Sequence, residues 1–96
     1  MSAEPEFRLV AEVSSDHPAG LRTLIESLVA GSVTPTPDGF HIEGTMRGAS
    51  ARDLNRALLS ALRRVERRTR VRAEWTHGGM SQRFFDYVPK GTRPAY

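Results

Sequence analysis

Apolar and polar residues first alternate over Phe7 to Val13, with Phe7, Leu9, Ala11 and Val13 on one side and Arg8, Val10 and Glu12 on the other. That period predicts a half-buried strand. The period then changes: Leu21, Leu24, Ile25, Leu28 and Val29 fall at helical spacing and predict an amphipathic helix. Asp16 is placed to cap it, Pro18 to sit in its first turn, and Gly31 to end it in a left-handed conformation. Val33–Thr36 and Phe40–Met46 flank Pro37-Asp38-Gly39, a turn in which proline presets φ and glycine accepts a positive value. The pair predicts a hairpin with Phe40, Ile42 and Met46 inward. Pro35 lacks the N–H that a ladder needs, which assigns its arm to a sheet edge.

A second helix starts at a capping box of Ser50 and Asp53. It carries Leu54, Ala57, Leu58, Ala61, Leu62 and Val65 on one stripe and ends within residues 66–69. Val71, Ala73 and Trp75 alternate with Arg70, Arg72, Glu74 and Thr76 in a further strand. His77-Gly78-Gly79-Met80 reads as a hairpin turn, and residues 82–88 return as an aromatic-rich strand. Residues 1–6 carry no apolar pattern and read as a frayed end, and the breaker-rich residues 89–96 as a flexible tail. With 96 residues, no internal repeat and no linker, one domain is expected.

The order β-α-β-β-α-β over roughly residues 6–77 resembles the ferredoxin-like plait, in which two split β-α-β units place both helices on one face of an antiparallel sheet. The resemblance implies an α+β fold with sheet order 4-1-3-2 and strand two at an edge; the last run, outside the resemblance, adds an extra C-terminal strand hairpinned to strand four. Phe7, Leu9, Ala11, Val13, Phe40, Ile42, Met46, Val71, Ala73 and Trp75 then pack under the helices. The opposite face carries Arg8, Val10, Glu12, His41, Glu43, Thr45, Arg70, Arg72, Glu74 and Thr76, a surface of mixed charge without aromatics.

Composition narrows the chemistry. There is no Cys, so disulfides, thiolate metal sites and a Cys nucleophile are excluded. No run of ten uncharged apolar residues occurs, which argues against a membrane helix or the apolar core of a signal peptide and makes the cytoplasm the expected compartment. The net charge of +3 is unevenly spread: residues 1–48 hold three Arg against seven carboxylates, residues 49–96 eleven basic residues against four. Arg63, Arg64, Arg67 and Arg68 cluster near the end of the second helix. Such a cluster fits phosphate neutralisation, and equally a solvated helix face with cations at its C-terminus.

The three histidines, His17, His41 and His77, show no metal-ligand spacing. His41 and Glu43 share the open face, where an acid/base pair is conceivable and plain hydrogen bonding is the simpler reading. Gly-rich phosphate loops and nucleophile-elbow or zinc-protease motifs are missing, and the open face lacks the aromatics on which an RNA-recognition motif stacks bases. No cofactor, metal or catalytic residue is assigned. Arg83-Phe84-Phe85-Asp86-Tyr87-Val88-Pro89 places more aromatic surface in one strand than a single face buries, so Phe84, Phe85 and Tyr87 are candidates for partner contact. The expected function is a non-catalytic protein-interaction or self-association module, with a homodimer or another protein as partner and no membrane. A nucleic-acid or polyanion binder acting through Arg63, Arg64, Arg67 and Arg68 is the alternative, and a small dimeric α+β-barrel enzyme with a cavity near Trp75 and His41 the third.

Overall fold

A computed structural model describes residues 4–85, with Phe85 described by its backbone alone. Five strands, β1 (Glu6–Ser14), β2 (Ala30–Thr36), β3 (Gly39–Arg47), β4 (Arg70–His77) and β5 (Met80–Phe85), form one antiparallel sheet in the order β2-β3-β1-β4-β5. Taken from the β4 side, the first four strands run 4-1-3-2, and β5 lies outside them. The helices α1 (Arg22–Leu28) and α2 (Ala51–Val65) pack on one side of this sheet. One core joins Phe7, Leu9, Ala11, Val13, Phe40, Ile42, Val71, Ala73 and Trp75 of the strands to Leu21, Ile25, Leu54, Leu58 and Leu62 of the helical layer. Met46 is partly buried at its margin. Period-two alternation puts the intervening residues on the other, uncovered side, which no described element covers.

The first helix departs from its sequence signals. Pro18–Leu21 forms a 3-10 turn, α1 is seven residues long, and neither start has a side-chain cap, so Asp16 does not cap the helix. Gly31 is not a helix terminator either. Val29 leaves the helix already extended, its N–H donating to the Ile25 carbonyl at 2.9 Å, and Gly31 lies inside β2, which begins at Ala30 rather than Val33. The reason is contact: Gly31 stands opposite Gly44, and a Cβ there would meet the Glu43 carbonyl oxygen at 2.1 Å. Backbone-to-backbone approach, not a left-handed turn, requires this glycine. Positive φ occurs at Gly78 (59°) and Gly79 (83°), not at Gly39, and both signs match a two-residue turn of the primed type between β4 and β5.

The helix α2 starts as its sequence indicates, with the Ser50 hydroxyl accepting from the Asp53 N–H at 3.1 Å. Its buried stripe is rotated from the expected one. Asn55 and Leu59 join Ala51, Leu54, Leu58 and Leu62 inside, whereas Ala57 and Val65 face solvent. Of the expected frayed end, residues 1–6, Glu6 opens β1 and the Pro5 carbonyl accepts from the Gly48 N–H at 3.1 Å, while residues 1–3 lie outside the described residues. The expected tail, residues 89–96, lies outside the described residues.

Candidate functional site

The uncovered face of the sheet is organised in rows set by strand pairing. One row runs Thr34, His41, Glu12, Arg72 from β2 across to β4, and the next runs Ser32, Glu43, Val10, Glu74, Arg83 from β2 to β5. Glu6, Glu12 and Glu43 lie on β1 and β3 together with the exposed Arg8 and Arg47, and the exposed Arg70, Arg72 and Arg83 lie on β4 and β5 together with Glu74. Arg83 lies 3.8 Å from Glu74, an exposed pair that stabilises by about 0.2–1 kcal/mol. Among the described residues, Arg70 and Arg72 have no ion pair.

His41 sits at the centre of this face. Its Nδ1 hydrogen-bonds Glu12 from the neighbouring strand, and its Nε2 lies 2.9 Å from the Glu43 carboxylate two residues along β3. A carboxylate only accepts, so both contacts are hydrogen bonds only when both ring nitrogens carry a proton. The bonds to Glu43 and then to Glu12 raise the His41 pKa above its ordinary value of 6.5, against the smaller opposing effect of burial. The register Glu12↔His41 creates this triad. The sequence pointed to His41 and Glu43 but not to Glu12, because a cross-strand neighbour appears only once the pairing is fixed. Among the described residues, no group of three or more His, Asp or Glu side chains is arranged so that it could hold a metal ion.

The four arginines singled out by sequence do not share one surface. Arg63 turns back, its Nε donating to the Thr69 carbonyl at 2.9 Å, while the Thr69 hydroxyl donates to the Glu66 carbonyl at 2.6 Å. These bonds close the connection between α2 and β4 around a fully buried Thr69. Arg64 is on the last turn of α2, and Arg67 and Arg68 have left the helix; all three are exposed. The Arg68 guanidinium is 4.0 Å from the Asp16 carboxylate. Among the aromatic candidates, Phe84 faces the helical layer, partly buried against the core and opposite Ala73. Phe85 pairs with Arg72 through its backbone, and Tyr87 lies outside the described residues.

Trp75 and His41 lie on opposite faces of the sheet, so no single cavity is lined by both. Trp75 is fully enclosed, and its indole N–H donates to the Asn55 side-chain oxygen at 3.1 Å. A groove of about 480 Å³ lies instead at the end of β1 and β4, lined among others by Glu12, Ser14, Asp38, Arg70 and Arg72. No described helix is long and apolar enough to cross a membrane. Compared with models of protein families, with curated proteins and with solved structures, the chain has no significant match.

Proposed function

We propose that the protein is a non-catalytic interaction module of ferredoxin-like architecture that self-associates through its uncovered sheet face. The strand order and the seating of both helices on one side support the architecture. One observation carries the self-association: the face sets Glu12 and Glu43 on β1 and β3 against Arg70, Arg72 and Arg83 on β4 and β5, with Arg8, Arg47 and Glu74 of opposite sign interspersed. A surface that meets its own copy must be complementary to itself. A two-fold axis along β1, between two such faces, lays β4 and β5 of each copy over β3 and β2 of the other. Arg72 of one copy then reaches the row of Glu12 and His41 in the second. Arg83, which shares its row with Glu74, reaches the row of Glu43.

The size of the face sets the strength. Five strands of about eight residues cover about 24 by 26 Å, or about 1,200 Å² over both copies, near the lower limit for a specific interface. Its described side chains are mostly polar, so a dissociation constant in the micromolar range or weaker follows. Sedimentation equilibrium at low salt should show the mass rise from 10.7 kDa towards twice that value as concentration increases through the micromolar range, with added salt opposing the rise. A single species of 10.7 kDa at every concentration up to the millimolar range overturns the reading. A second reading, contact with a nucleic acid or another polyanion, draws on the exposed Arg64, Arg67 and Arg68 beside the end of α2.

A further inference from the structure

We propose that Glu12, His41 and Glu43 form a proton-operated clamp at the middle of the self-association face, which holds both carboxylates within the chain when the ring is doubly protonated and releases one of them to an arginine of a second copy when the ring loses a proton. The inference rests on the self-association reading above. Its basis is a count of donors. The ring touches two carboxylates through two different nitrogens, and a neutral imidazole has one N–H. After deprotonation one carboxylate keeps a donor, and the other faces a ring lone pair. That repulsion turns the second carboxylate outward, since both glutamates are about half exposed and free to rotate.

The surroundings decide where the released group finds a partner. From β2, His41 faces Thr34, which is uncharged. Beyond Glu12 on β4 stands Arg72, which makes no ion pair with Glu12 among the described residues. Beside Glu43 on β1 stands Val10, with Glu74 and then Arg83 beyond it. The helices lie on the other side of the sheet and present no charge to the ring. The triad carries one net negative charge with the imidazolium and two without it. In the two-fold arrangement Arg72 of the second copy arrives at the row of His41 and Glu12. There it meets, at low pH, two carboxylates already engaged by an imidazolium, and at higher pH a free carboxylate.

Self-association should therefore strengthen as pH rises through the His41 transition. A change of about tenfold in the dissociation constant is expected from one added charge at a partly screened contact. The experiment is sedimentation equilibrium of the wild type and His41→Gln from pH 5.5 to 8.5, with the ring protons of His41 followed by NMR in the same buffers. His17 and His77 remain in the variant, so the difference between the two curves isolates His41. The clamp predicts a wild-type constant that falls with the NMR-detected deprotonation, a step that is missing in His41→Gln, which still associates. A dimer with the same pH dependence in both proteins overturns the clamp and leaves self-association standing. A monomer at every pH overturns the self-association reading and, with it, release onto a second copy.

Discussion

His41 links a local hydrogen-bond pattern to the stability of the whole fold. Because the folded-state pKa is raised, the triad's contribution is fully present below the unfolded histidine's ordinary pKa and is lost as pH rises through the folded value. Denaturant unfolding should thus show His41→Gln less stable than the wild type near pH 5.5, with the gap narrowing by pH 8.5; a gap that widens with pH is inconsistent with the triad. Asn55 makes a separate demand on the core. Asn55→Leu leaves the buried Trp75 N–H without its acceptor, a loss of about 1–3 kcal/mol that urea titration would measure. This residue also marks a limit on sequence reading. Leu54, Leu58 and Leu62 were visible as a stripe, but a polar Asn inside it was not, because its partner is twenty positions away in sequence. Ala57 and Val65 looked equally apolar, and only the packing against Trp75 selects the flank that turns inward.

At the scale of elements, alternation made the strands legible: core and uncovered sides of β1, β3 and β4 follow directly from period two. The start of β2 was not legible, since a glycine just past an apolar stripe reads as a helix end, whereas the opposed Gly44 that gives Gly31 its role belongs to another strand. The two kinds of glycine predict different costs. Gly31→Ala pushes a Cβ into backbone atoms at 2.1 and 2.4 Å, and should destabilise by about 1–3 kcal/mol. Gly78→Ala has open space around it but a φ of 59°, which costs about 1 kcal/mol. Thermal unfolding of the two variants should rank Gly31→Ala as the more damaged. At the end of α2, the polyanion reading predicts that Arg64, Arg67 and Arg68 changed together to Gln abolish retention on heparin at low salt; unchanged retention removes that reading. Arg63 is left out because its guanidinium serves the α2–β4 connection.

For the whole molecule, one helical layer on a five-stranded sheet leaves a broad side that no described element covers, and charges of both signs line it. Arg72→Glu combined with Arg83→Glu reverses two of the three arginines on β4 and β5 without touching the core, as both side chains are exposed. The variant should keep the wild-type circular dichroism and remain a monomer at concentrations where the wild type associates. Undiminished association would place the contact elsewhere, for example at the β5 rim. Pro35 bears on that possibility. It sits on β2, the strand at the opposite rim, and takes a donor out of the row that an incoming strand would need. Endless stacking of copies rim against rim requires two receptive borders on each molecule, and the proline makes one of them less receptive. Strand addition at the β2 rim is therefore disfavoured, which works against fibre growth through native copies.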